Sequence, residues 1–194
     1  MFVNDIDSNF DSVINTNPRR LSIRCKPLSD VSTNTSHQSC TRSMFIFGRD
    51  RMDLVHVLKN FKLARVLCCD MIQGVWSNSV CRDFKRMIHL RYLKIQVKHL
   101  PACVRNLWIL ETLHVRYETT VTSKIWTLKR LRHLYLIGGE KLPVVLPKAN
   151  RMENLQTLRL RGRYPPQIIS LLNSGIFPRL RNLVLRCSLA PAAS

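Results

Sequence analysis

The sequence lacks the short motifs that mark the common nucleotide, metal and redox sites. It contains no G-x-x-x-x-G-K-[ST] loop and not even one Gly-Lys pair, so we expect no phosphate-binding loop in this polypeptide. Its seven cysteines are an odd number without a C-x-x-C pair, and this spacing predicts neither a disulfide framework nor a zinc site. No nucleophile, base and oxyanion-stabilising group can be placed together. We therefore expect no enzyme activity, no cofactor and no bound metal.

Acidic residues are scarce and unevenly placed. Thirty-one Lys and Arg stand against twelve Asp and Glu, and three of those twelve lie in residues 1–17, which hold no basic residue. Residues 18–194 therefore carry a net charge of 31 − 9 = +22. Such a field favours acidic partners. Because the basic residues form no block of like charges, we expect no specific binding of nucleic acid.

Long apolar runs are missing as well. No stretch approaches the roughly eighteen apolar residues of a membrane-spanning helix, so no transmembrane segment is predicted. The first ten residues, MFVNDIDSNF, lack the cationic start and apolar run of a signal peptide. An intracellular, reducing environment fits these absences, and we expect a cytoplasmic protein.

The sequence is rich in one repeated leucine pattern. The pattern L-x-x-L-x-L, with Ile or Val allowed at its last position, begins at residues 90, 110, 131, 155 and 180, and weaker copies begin at residues 18, 41 and 64. A period of about 20–29 residues with this pattern is typical of leucine-rich repeats. We predict about eight irregular repeats over residues 18–188. An acidic segment, 1–17, would cap one end weakly, and 189–194 would be a tail.

The spacing also predicts the fold class. Each copy supplies a short strand whose alternate side chains point inward, and the rest of the repeat returns along the outer face. The expected fold is an α/β repeat, a leucine-rich-repeat solenoid or horseshoe, with a concave parallel sheet of short strands and an irregular or short-helical convex side. Bulky residues before the strands, including Trp108 and Trp126, are expected to pack between repeats and not to contact a ligand.

Several phrases in the sequence are more specific than the leucine pattern. They are RRLSI at 19–23, LKNFKLARVL at 58–67, LRYL at 90–93, NLWILETL at 106–113 and NLQTL at 154–158. In this order the chain resembles the plant intracellular nucleotide-binding leucine-rich-repeat immune receptors, especially the late-blight-resistance type, over roughly residues 18–187. The resemblance implies protein recognition in disease resistance, by effector sensing, by autoinhibition of a nucleotide switch, or by both.

The chain also departs from that family. The phosphate-binding loop and the coiled-coil signalling segment are absent, so we expect a truncated chain or fragment, and the ATP binding of the family is not transferred to it. The main alternative is a free-standing intracellular leucine-rich-repeat adaptor or decoy that binds another protein. Two further alternatives are electrostatic association with nucleic acid and a remnant without function.

The outward residues of the predicted strands form columns across repeats. From residue 90 onward these columns contain four Arg, one Lys, one His and one Tyr, and Arg and Tyr often dominate interface energetics. We predict a protein-binding concave face for an acidic partner, either the receptor's own nucleotide-binding domain or a pathogen effector; the alternative is a solvated basic face without a partner. The predicted face consists of Lys94, Gln96, His114, Arg116, Tyr135, Arg159, Arg161 and Arg186.

Two pairs of residues could be mistaken for reactive sites. His114 and His133 fall in adjacent repeats, but neither a third ligand nor a nucleophile accompanies them, so we expect exposed or structural histidines. Cys69 occupies an inward position of its repeat, and Cys68 has no evident activating base. Packing is therefore the expected role of both cysteines.

Overall fold

A computed structural model of the chain describes residues 19–24, 40–47, 61–69, 81–82, 84–100, 102–121, 123–138, 151–162 and 172–187. The predicted cap, 1–17, and tail, 189–194, lie outside these ranges. Two 3₁₀ helices are described, η1 (Ala102–Asn106) and η2 (Ser123–Thr127). The described strands are β1 (Arg20–Arg24), β2 (Ser43–Phe47), β3 (Val66–Cys69), β4 (Tyr92–Leu100), β5 (Thr112–Val121), β6 (His133–Gly138), β7 (Thr157–Gly162) and β8 (Asn182–Cys187).

The strands coincide with the leucine pattern. Each of them begins two residues after one of the eight pattern starts, so that β4 begins at Tyr92 and the pattern at Leu90. The last four residues of the pattern, x-L-x-L, therefore lie within the strand, where successive side chains alternate between two sides. Short 3₁₀ helices occupy two of the return segments. The predicted leucine-rich-repeat solenoid is confirmed.

The chain divides into two compact units, Met1–Val97 and Lys98–Ser194. In the first unit, β1, β2, β3 and the start of β4 are parallel neighbours in chain order. Their register places Leu21 beside Met44, Met44 beside Leu67, and Leu67 beside Leu93. All four side chains are buried. The first inward position of each repeat thus contributes to one continuous apolar column.

The second unit has the same arrangement. Strands β5 to β8 are parallel neighbours, and their register aligns Leu113, Leu134, Leu158 and Leu183. The first three leucines are fully buried, but Leu183 is 42% exposed. The difference follows from position, because β8 is the last strand of the described ladder. Leu183 has a neighbouring strand, β7, on one side only, whereas its partner Leu158 lies between β6 and β8.

A tight turn, here named the lead-in turn, precedes each strand from β3 to β8. The N–H of its fourth residue donates to the C=O of its first, with N–O distances of 3.0–3.2 Å. Apolar side chains fill these two positions and are buried in every turn except at Leu180, which is half-buried, whereas the two central residues are exposed or half-exposed. The lead-in turns are 61–64, 87–90, 107–110, 128–131, 152–155 and 177–180.

The cysteines differ in part from expectation. The sequence predicts no disulfide framework, yet Cys81 and Cys103 are disulfide-bonded. Sequence spacing fails here because bond formation depends on how closely the fold brings two Cβ atoms together. Cys69 is fully buried at its inward position, as predicted. None of the described helices is long and apolar enough to span a membrane.

Candidate protein-binding surface

The outward residues of β5 to β8 form rows, because the parallel register sets one residue of each strand beside its neighbour. One row, here named the basic row, consists of Arg116, Ile137, Arg161 and Arg186. Neighbouring strands lie about 4.8 Å apart, so successive residues of a row are near neighbours. The three arginines of the row are exposed. The row therefore presents three guanidinium groups on one sheet face.

The adjacent row contains two aromatic rings and is named the ring row. It consists of His114, Tyr135, Arg159 and Val184. The ring centroids of His114 and Tyr135 are 5.4 Å apart at an interplanar angle of 40°. The guanidinium carbon of Arg159 lies 5.6 Å from the Tyr135 centroid. These contacts order Arg159 by a cation–π interaction worth about 0.5–1 kcal/mol at an exposed position.

The two rows, together named the second-unit face, have no acidic member. The row next to the ring row, Thr112, His133, Thr157 and Asn182, also lacks a carboxylate, whereas Glu118 follows Arg116 by two residues on β5. The twelve positions of these three rows therefore carry four arginines and no Asp or Glu. A guanidinium presents donors in a planar fork that matches a carboxylate. The geometry suits recognition of acidic side chains on a protein surface.

Six of the eight predicted site residues belong to the second-unit face, and two do not. Lys94 and Gln96 lie on β4 in the first unit, where both are half-buried. The register partner of Lys94 on β3 is Cys68, and Cys68 pairs in turn with Phe45. The outward row of the first unit is therefore mainly uncharged before it reaches Lys94.

The two histidines occupy different rows of neighbouring strands. His114 lies in the ring row, whereas His133 is the register partner of Thr112 and Thr157. Both side chains are half-buried. Among the residues that the structure describes, no group of three or more His, Cys, Asp and Glu could hold a metal ion.

Sequence reasoning was right for one of two tryptophans. Trp126 is buried and its ring centroid lies 6.1 Å from that of Phe177, as expected for a packing residue. Trp108 is 57% exposed, so the prediction that it packs between repeats is wrong. The reason is its place in the lead-in turn, where it is a central residue. The equivalent residues of the next three turns are Lys129, Glu153 and Pro178, and their polar or turn-forming character was the available signal.

Comparison with known proteins agrees with this architecture. The family described as leucine-rich repeat region matches residues 40–192. This span is more than half of the chain, and the chain belongs to that family.

The chain is similar to plant resistance proteins. It is 32% identical to the putative late blight resistance protein homolog R1B-16 of Solanum demissum over 53% of the chain and 8% of that relative. It is 30% identical to the probable disease resistance protein RXW24L of Arabidopsis thaliana over 66% of the chain and 14% of that relative. The late blight resistance protein R1-A of Solanum demissum is 24% identical over 71% of the chain and 11% of its own length. The predicted resemblance is confirmed, and the chain spans a small part of these relatives.

Proposed function

We propose that this chain is the protein-recognition module of a plant disease resistance receptor, and that the second-unit face binds an acidic partner protein. The observation that carries the proposal is the set of four outward arginines that the strand register brings together in the two rows of this face. Arg and Tyr supply much of the binding energy at protein interfaces. The similarity to a putative late blight resistance protein homolog and to a probable disease resistance protein supports a role in disease resistance.

The acidic partner would be the nucleotide-binding domain of such a receptor, held in its resting state, or a pathogen effector. Contact with the nucleotide-binding domain would make the module autoinhibitory, and contact with an effector would make it a sensor. Both partners would be met in the cytoplasm, which is the proposed location, although disulfide-bonded cysteines such as Cys81 and Cys103 are unusual in that reducing compartment. Recognition requires no catalytic group, so the proposed role is binding without enzyme activity.

The test is binding to a nucleotide-binding domain taken from a resistance protein of this family. Charge reversal of Arg159 and Arg161 to Glu in the full chain should weaken the complex at least about tenfold, because each arginine would lose a charge-assisted hydrogen bond. The matched control reverses Arg151 and Arg179, which are exposed in loops and turns of the same unit. Equal loss in both double variants would show that only net charge matters and would contradict the proposed face.

The second candidate function is a free-standing adaptor or decoy. The same arginine-rich face favours it, because such a protein would use an identical surface without any switch domain. A complex with an acidic effector, together with no measurable binding to the nucleotide-binding domain, would select this candidate over autoinhibition.

A further inference from the structure

Among the described residues of the second unit, Trp108 is the most exposed large apolar side chain, with 57% of its surface accessible. It is a central residue of the lead-in turn 107–110, which is closed by the N–H of Leu110 donating to the C=O of Leu107 at 3.0 Å. Both of those leucines are buried. The indole ring is therefore presented from a backbone segment that is fixed at both ends.

The next lead-in turn supports the exposed ring. The guanidinium carbon of Arg130 lies 5.5 Å from the Trp108 ring centroid, and Arg130 itself is exposed. The following turn is joined to it, because the side-chain amide of Asn154 donates to the C=O of Lys129 at 2.9 Å. Three consecutive turns thus form an ordered edge, here named the Trp108 edge, which consists of Trp108, Lys129, Arg130 and Asn154.

The repeat fold does not require a tryptophan at this position. Lys129, Glu153 and Pro178 occupy the equivalent place in the other lead-in turns of the second unit, and all three are exposed. The core would be buried equally well with a polar residue there. An exposed, pre-ordered Trp next to an Arg is instead the combination found at the energetic centres of protein interfaces, where little ordering entropy remains to be lost.

We propose that the Trp108 edge is a second binding surface, separate from the second-unit face, for a protein segment that carries an apolar side chain next to a carboxylate. The apolar side chain would pack on the indole, and the carboxylate would pair with Arg130 and Lys129. Charge favours this occupant, because residues 98–194 contain sixteen basic and four acidic residues. This inference does not depend on the proposed role of Arg159 and Arg161.

The test uses a phage-displayed library of random dodecapeptides. The library is selected against the full chain and counter-selected against its Trp108→Ala variant, and the enriched peptides are then synthesised and measured by fluorescence anisotropy. We expect enriched peptides that combine Asp or Glu with Leu, Phe or Trp. Their affinity should fall about tenfold or more for Trp108→Ala, in line with the loss of an interface hot spot.

Two matched variants separate the proposed edge from general effects of charge. Arg130→Ala and Arg151→Ala remove the same charge from exposed arginines, but only Arg130 lies over the Trp108 ring. Arg130→Ala should weaken peptide binding at least about threefold more than Arg151→Ala, and Arg159→Glu/Arg161→Glu should change it by less than Trp108→Ala. Trp108→Phe, which keeps an aromatic ring, should retain most of the affinity and shows that the fold is intact.

Three outcomes would overturn the proposal. They are failure to enrich peptides that distinguish the wild type from Trp108→Ala, enrichment of peptides without acidic residues, and equal effects of Arg130→Ala and Arg151→Ala. Vesicles of phosphatidylserine and phosphatidylcholine in a 3:7 ratio are measured in parallel. Trp108-dependent binding to these vesicles without any to peptides would assign the edge to a lipid surface and would also contradict a protein partner.

Discussion

The guanidinium carbon of Arg159 lies 5.6 Å from the ring centroid of Tyr135 on the neighbouring strand. The two residues are register partners in the parallel β6–β7 ladder, so the backbone itself sets their proximity. On its other side the Tyr135 ring contacts His114 of β5. A stack of three side chains therefore crosses three strands. An arginine ordered in this way loses less conformational entropy when it binds a carboxylate.

Substitution of Tyr135 should reveal the contribution of this stack. Tyr135→Ala is expected to weaken binding of the nucleotide-binding domain proposed as a partner about twofold to fivefold, because a cation–π contact is worth about 0.5–1 kcal/mol. Tyr135→Phe keeps the ring and should stay within about twofold of the wild type. Isothermal titration calorimetry measures both affinities. Equal weakening by Phe and Ala would assign the effect to the hydroxyl and not to the ring.

Two register-paired leucines should differ in their contribution to stability. Leu158 is fully buried, and its partner Leu183 on β8 is 42% exposed. Leu158→Ala should lower the free energy of unfolding by about 2–5 kcal/mol, because it leaves a cavity. Leu183→Ala should cost less than about 1 kcal/mol. Urea unfolding followed by circular dichroism measures both, and similar losses would contradict the described environment of β8.

Trp126 allows a test of an unsatisfied polar group. Its Nε1 is buried without a hydrogen-bond partner, and a buried N–H of this kind costs about 1–3 kcal/mol. Trp126→Phe removes that N–H and keeps an aromatic ring, so we expect a change of less than about 1.5 kcal/mol in unfolding free energy. Trp126→Ala should cost about 3–5 kcal/mol. If Phe is as destabilising as Ala, the N–H is hydrogen-bonded in solution.

Salt dependence should separate a protein partner from nucleic acid. Binding dominated by phosphate contacts falls by about 10³-fold or more between 50 and 200 mM salt. A packed protein interface with a few arginine–carboxylate pairs should weaken by less than about tenfold over this range. Calorimetry of the nucleotide-binding-domain complex at the two concentrations makes the comparison, with a random DNA duplex as the reference ligand. A slope equal to that of the duplex would favour the electrostatic alternative.

The strands could be predicted from the sequence because apolar residues at every second position point to the same side of a β-strand and do not fit the period of a helix. The positions of Leu93, Leu113, Leu134 and Leu158 follow from that pattern, and all are fully buried. The members of the outward rows were also predictable, because parallel strands in register place equivalent positions of successive repeats side by side. Six of the predicted site residues consequently lie together on β5 to β8.

Other features depend on information that the pattern does not contain. The exposure of Leu183 and Leu185 depends on what stands beside β8, and both residues match the pattern as well as Leu158 does. The exposure of Trp108 depends on the hydrogen bond that closes its lead-in turn, because that bond fixes which residues are central. The large volume of the Trp108 side chain suggested packing, but the backbone of its turn leaves this side chain exposed.

The most direct test of the second-unit face is arginine-selective chemical labelling of the complex with the nucleotide-binding domain, followed by mass spectrometry. If the face is the binding surface, Arg159, Arg161 and Arg186 should be protected relative to the isolated chain. Arg151 and Arg179, which are exposed in loops and turns of the same unit, should remain labelled. Protection of these two control arginines, with unchanged labelling of Arg159 and Arg161, would contradict binding through the outward rows of β5 to β8.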